Sequence, residues 1–174
     1  MTMTMSRFGI GQIKDMQVPE GWSRTEQNNV DLSSMIIFTP SDDLEVQLGF
    51  YYRGTPISVR DGQAFRALLQ TDKGSLAQDD LAGIRNVLAD IADDSRFHIF
   101  SAGTSTFNGR RVLVVQGRWQ ANQYESFEMF IDAGKDGTVV QQIYFVAPPD
   151  KFDALLPSIK ECLDSICWVD PAAD

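Results

Sequence analysis

"GRRVLVVQGRWQANQYESFEMFID", Gly109 to Asp132, holds two runs with the two-residue period of β-strands, and Asn108 stands immediately before it. In the first run Leu113, Val115, Gly117 and Trp119 share one face, and Val112, Val114, Gln116 and Arg118 the other. In the second, Phe127, Met129 and Ile131 oppose Tyr124, Ser126, Glu128 and Phe130. A strand shows successive side chains to opposite faces, so each run offers one apolar face and one mixed face. Asn108–Gly109 ahead of the first run is a hairpin signal, because both turn residues need positive φ. Ala121–Asn122 supplies a second short turn.

Outward from this hairpin, "FHIFSAGTSTF" precedes the Asn-Gly turn and "TVVQQIYFVAP" follows the loop "AGKDG", which makes an antiparallel meander of four strands. Three earlier runs read as strands: "IKDMQVPEGW" up to Pro19, "SSMIIFTP" up to Pro40, and "LEVQLGFYYR". The last places Leu44, Val46, Leu48, Phe50 and Tyr52 on a core face, with Glu45, Gln47, Gly49, Tyr51 and Arg53 opposite.

Between Tyr52 and Phe97 the period changes to that of helices. "SVRDGQAFRALLQ" offers Ser58 or Asp61 as an N-cap. "SLAQDDLAGIRNVLADIADD" reads as one helix with Ser75 and Gln78 as a capping box and Leu81, Ile84, Leu88 and Ile91 as its buried stripe. A last helix starts at Asp150 and carries Phe152, Leu155, Ile159, Leu163 and Ile166, with Pro157 expected to kink it. The fold class is therefore α+β: an antiparallel sheet of six to seven strands flanked by helices. One domain over 1–174 is expected, with loose ends at Met1 to Ser6 and Pro171 to Asp174.

Composition narrows the function. Of 174 residues, 43% are hydrophobic and 22% charged, which suits a domain with a core of its own. Twenty-four acidic residues against fifteen basic ones give a net charge of −9, and only Arg110–Arg111 are adjacent basic residues. Nucleic-acid binding needs a clustered basic patch, so that class is set aside. No apolar run approaches the ~20 residues of a membrane-spanning helix. "MTMTMSRFGIGQIKD" lacks the pattern of an export signal, and the expected compartment is the cytoplasm. Cys162 and Cys167 sit about 140° apart on a helix and read as reduced, buried hydrophobes.

Three features of the chain resemble the PsbP-like and DcrB-like fold group: "VPEGW" (Val18 to Trp22), "FNGRRVLVVQGRW" (Phe107 to Trp119), and "GTVVQQIYFVAPPDKFDALLPSIKECLDSI" (Gly137 to Ile166). The resemblance implies an antiparallel sheet between helices and a protein that works by binding. Members of the group dock on photosystem II, on a small GTPase, or on hydrophobic segments of type VI secretion effectors. It carries over no catalytic residues.

The residues themselves point to little chemistry. His98 is the single histidine and stands between Phe97 and Ile99 in a strand. "DAGKDG" places Asp132, Asp136 and Gly137 loosely as in a calcium loop, but Gly134 and Ile143 occupy ligand positions. The pairs Asp42–Asp43, Asp79–Asp80 and Asp93–Asp94 fit helix starts and loops. No cofactor and no metal is called for, and no catalytic residue is assigned.

What remains is a half-polar sheet face. Tyr51, Arg53, Arg118, Tyr124 and Gln141 form the candidate binding patch, since Tyr and Arg combine contact area with directional hydrogen bonds. The expectation is a non-enzymatic adaptor or chaperone that binds another protein through a sheet face or a helix–sheet groove. A second copy of the chain is an admissible partner. The alternatives are a small-molecule or lipid carrier with a pocket between helices and sheet, and an enzyme that the motifs do not reveal.

Overall fold

The structure, a computed structural model, describes residues 1–9, 11–29, 33–53, 56–134 and 138–169. Among the described residues ten strands run in chain order as β1 (Met3–Arg7), β2 (Ile13–Pro19), β3 (Trp22–Asn28), β4 (Ser34–Pro40), β5 (Gln47–Tyr52), β6 (Phe97–Phe107), β7 (Arg110–Trp119), β8 (Glu125–Asp132), β9 (Val140–Ala147) and β10 (Cys167–Trp168). Helices α1 (Val59–Leu69), α2 (Gln78–Ala82) and α3 (Arg85–Leu88) lie between β5 and β6, and α4 (Pro149–Asp164) follows β9.

Seven strands make one antiparallel sheet in the order β3-β4-β5-β9-β8-β7-β6, and β1-β2-β10 make a second. The meander is present as read. Asn108 and Gly109 both have positive φ, 42° and 81°, which is what a two-residue turn with right-handed twist demands. The count of seven falls within the expected six to seven, but its membership differs. Ile13–Pro19 belongs to the small sheet, and Trp22–Asn28, which was not foreseen as a strand, takes the outer place beside β4.

The large sheet buries both faces by different means. On the first, Phe127, Met129, Ile143, Phe145, Leu48 and Phe50 pack against α4 and β2, whose Phe152, Ile159, Leu163, Ile13 and Met16 are fully buried. Phe145 and Phe152 stack with ring centroids 5.3 Å apart. On the second face, Leu113, Val115, Phe130 and Val140 meet Phe65, Leu68, Ile84, Val87 and Ile91 of the α1–α3 layer. α4 runs without a break through Pro157.

Five local expectations need correction. Met3–Arg7 does not fray but pairs with β2 from Met3↔Pro19 to Arg7↔Asp15; the expected loose end at 171–174 lies outside the described residues. The long helix is three short pieces: α2, α3 and a 3-10 turn over Ala89–Ala92. Gly83 ends α2, and Ala89 at φ 53° ends α3. Its cap is not Ser75, because Asp80 accepts from the Ala77 N–H at 3.0 Å. Ser58 does cap α1, accepting from the Asp61 N–H at 3.1 Å. Leu44 is 78% exposed because β5 starts only at Gln47, while Val46, Leu48 and Phe50 are buried as expected. Cys162 is buried and Cys167 exposed, since α4 stops at Asp164 and Cys167 belongs to β10. Asp132 forms an ion pair with Arg66, and Asp136 and Gly137 lie outside the described residues.

Candidate functional site

The α1–α3 layer covers only one end of the second sheet face. The uncovered end is an open cleft of about 490 Å³ lined by Leu44, Glu45, Gln47, Trp119, Asn122, Tyr124, Glu128, Gln142, Tyr144 and Val146. The register explains this membership. Glu128 pairs with Tyr144 and Ser126 with Val146, while Tyr144 pairs in turn with Gly49 and Val146 with Gln47. Alternation then puts Glu128, Gln142, Tyr144 and Val146 on one surface.

Gly49 is what lets the floor form. A Cβ on it would stand 2.1 Å from the Tyr144 ring, so that ring lies directly over the β5 backbone. The Tyr144 hydroxyl reaches toward the Met35 sulfur at 3.9 Å. Burial, with the nearby Glu128, pushes its pKa up to about 12.

Glu128 is the buried carboxyl group of the site, only 1% exposed. The Ser126 hydroxyl donates to its Oε1 at 2.5 Å and the Gln142 amide to its Oε2 at 2.7 Å. Burial pushes its pKa up to about 7, against the two hydrogen bonds and the Arg53 charge, which favour the carboxylate. It forms no ion pair among the described residues.

The rim is tied by a second group. Tyr124 donates to Glu45 at 2.5 Å, and Lys151 at the start of α4 meets Glu45 at 3.1 Å and Asp43 at 2.6 Å. The hydrogen bonds from Tyr124 and Lys151 hold Glu45 below the usual carboxylate range, and Lys151 does the same for Asp43. The rim therefore stays ionised at neutral pH. Trp119 completes the wall, its ring edge-on to Phe97 at 5.0 Å.

The five expected patch residues do not form one surface. Tyr124 lines the cleft. Tyr51 is half-buried on the same face, opposite Met35 and Gln142. Arg53 is spent internally: its guanidinium donates to the Asn86 and Val87 carbonyls at 3.0 and 2.6 Å and approaches Gln142 Oε1 at 3.4 Å. Those carbonyls lie in α3, so the guanidinium ties that short helix to the sheet face. Arg118 belongs to the opposite face, paired with Glu125 at 2.7 Å and set over Phe100 at 5.3 Å. Gln141 is fully buried on that face, and its Oε1 accepts from the Gln12 N–H at 2.8 Å. Adjacent residues on a strand point oppositely, so it was Gln142 and not Gln141 that reached the mixed face. Glu128, Tyr144 and Gln142 were not singled out from the sequence. The available signal was a Glu between Phe127 and Met129 in a strand with neighbours on both sides. His98 is exposed at the sheet edge, its ring 5.5 Å from Phe100.

No protein-family model matches the chain, and no curated protein matches it. Solved structures do. The solution structure of cyanobacterial PsbP (CyanoP) from Synechocystis sp. PCC 6803 superposes with a TM-score of 0.57 at 11% identity, over 96% of this chain and 92% of that one. The fold is PsbP-like. Two further similar structures are PA94, a protein of unknown function from Pseudomonas aeruginosa, and LpqN, involved in cell envelope biogenesis of Mycobacterium tuberculosis. For PA94 the TM-score is 0.49 at 12% identity, covering 95% of this chain and 96% of that one. For LpqN it is 0.45 at 14% identity, covering 97% and 91%. A likeness at these identities concerns the PsbP-like architecture, not the cleft. No helix among the described residues is long and apolar enough to cross a membrane.

Proposed function

We propose that this PsbP-like chain is a non-enzymatic binding module whose working site is the cleft over Glu128. The observation that carries the reading is a preformed opening of about 490 Å³ in which aromatic walls meet a few placed polar groups. Ligand sites commonly have this size and make-up. The carrier reading is favoured over a flat protein-binding face because Arg118 and Gln141 lie on the other side of the sheet from Tyr124. An adaptor role keeps one observation of its own: Leu44, 78% exposed on the rim, would be covered by a partner that inserts a side chain into the cleft.

An enzyme reading expects carboxylates that converge with perturbed titration. Glu128 and Glu45 are two such groups, but Glu45 is tied to Tyr124 and Lys151, and the ten lining residues include no His, Cys, Ser or Lys to act with Glu128. The proposal includes a cytoplasmic chain with reduced thiols, which Cys162 and Cys167, unpaired within the chain, support. It includes no nucleic-acid partner, in keeping with the net charge of −9.

A thermal-shift screen of small fragments tests the reading, run on the natural protein and on Val146→Trp, which fills the cleft from β9. Binders are expected to raise the melting temperature of the first and not of the second. At a hundredfold excess over Kd the stabilisation is about 2.7 kcal/mol. Equal stabilisation of both proteins would remove the cleft from the account.

A further inference from the structure

We propose that the group the cleft accepts is an organic cation, an alkylammonium or quaternary ammonium, held between Glu128 and the rings of Trp119, Tyr124 and Tyr144. The inference rests on the cleft being a binding site and adds the chemical class of its ligand.

The carboxylate is the first reason. A carboxylate offers about four acceptor positions. Ser126 and Gln142 use two of them, and both are neutral donors. The cations nearby are already engaged. Lys151 sits between Asp43 and Glu45 on the rim, and Arg53 gives its guanidinium to the α3 carbonyls. The floor thus holds a carboxyl group, a charge once the pH is above about 7, with no cation in contact with it among the described residues.

The walls are the second reason. Three aromatic side chains line one small opening, and the face of an aromatic ring attracts a cation within about 6 Å of its centroid. Tyr124 also donates its hydroxyl proton to Glu45, which keeps an ionised carboxylate beside its ring. An anion entering here would face Glu128 and Glu45 together. A neutral ligand would leave the floor charge uncompensated, whereas a cation answers both the charge and the rings. The chain's net charge of −9 favours cation encounter from a distance.

Choline, tetramethylammonium and n-butylamine are the probes, with 3,3-dimethyl-1-butanol as the uncharged counterpart of choline and butyrate as the anion. Affinity is measured by calorimetry at pH 8, and the site by ¹⁵N chemical-shift changes. At least one cation is expected to bind about tenfold or more tightly than the alcohol, and butyrate not at all. Glu128→Gln is expected to abolish most of that preference for the cation over the alcohol. Trp119→Leu, which removes a ring and no charge, is expected to weaken the cation more than the alcohol. If the alcohol, or neutral fragments from the screen, bind the cleft as well as any cation, the cation inference falls and the binding site stands. If neither cations nor neutral compounds move cleft resonances, both fall.

Discussion

Replacing Glu128 by Gln should make this protein more stable above neutral pH and leave it unchanged in mild acid. The carboxyl is 1% exposed, and burial raises its pKa from 4.5 to about 7. Between those values the folded protein holds a proton that the unfolded chain has lost, so stability falls as pH rises through this window. Above it the folded protein carries a buried carboxylate. Two and a half pKa units at about 1.4 kcal/mol each amount to roughly 3 kcal/mol of stability lost by pH 8.

The amide introduced by the substitution can keep every hydrogen bond. With its oxygen toward Gln142 it still accepts from that side chain. With its nitrogen toward Ser126 it donates to the hydroxyl, which can turn its own proton to the Phe145 carbonyl, 3.3 Å away. The assay is urea unfolding of both proteins at intervals from pH 4 to pH 8.5. The stability difference should be near zero at pH 4, grow between about pH 4.5 and 7, and level off near 3 kcal/mol. At about 2–4 °C per kcal/mol, that is roughly 6–12 °C in melting temperature. The lowered pKa values of Asp43, Glu45, Asp61, Asp80 and Asp93 give stability that is lost as pH falls, but they are common to both proteins and cancel. A difference that does not change with pH would refute the reasoning.

Gly49→Ala should cost about 1–3 kcal/mol in denaturant unfolding and disturb the Tyr144 resonances first, because its Cβ would meet that ring at 2.1 Å. Gln141→Leu should cost about 1–3 kcal/mol, since it strips the Gln12 N–H of its acceptor; a neutral result would show that water replaces it. Gly109→Ala should lose about 1–2 kcal/mol from the positive φ of 81° alone, as nothing lies within 4 Å of its added methyl. Iodoacetamide should label Cys167 in the native protein and Cys162 only after unfolding, which mass spectrometry of the modified peptides reads directly.

The parts of the fold legible in the sequence are those whose signal is local. Asn108–Gly109 fixes a hairpin by backbone conformation, and the alternation from Arg110 to Asp132 fixes which residues share a face. The stripe Leu81, Ile84, Leu88 and Ile91 is buried although its helix is broken, because burial follows the stripe and not the regularity of the turns. Trp22–Asn28 escaped because it lies at the sheet edge with nearly every residue exposed, so no hydrophobic alternation marks it. Met3–Arg7 escaped for a similar reason, as its pairing partner lies across a turn and not in its own pattern.

The site was less legible than the fold. Glu45, Gln47, Gly49 and Tyr51 were placed correctly on the face opposite Val46, Leu48 and Phe50, yet which of them border the cleft depends on where α1–α3 stop covering the sheet. Neighbours such as Gln141 and Gln142 cannot be told apart by type, only by register with β5 and β8. Glu128 reads as a solvated strand residue until both adjacent strands and the cover over Phe130 are known. Arg53 reads as an interface residue until α3 presents it with the Asn86 and Val87 carbonyls.

The central claim is that the cleft over Glu128 is the place where this protein binds. It is tested most directly by mapping fragment binding on a ¹⁵N-labelled, indole-assigned sample. The account predicts saturable shifts centred on the Trp119 indole, Tyr124, Gln142, Tyr144 and Val146. Saturable shifts centred instead on the groove between β6 and α4, around Ser101, Ser105 and Lys160, or no saturable shifts at all, would contradict it.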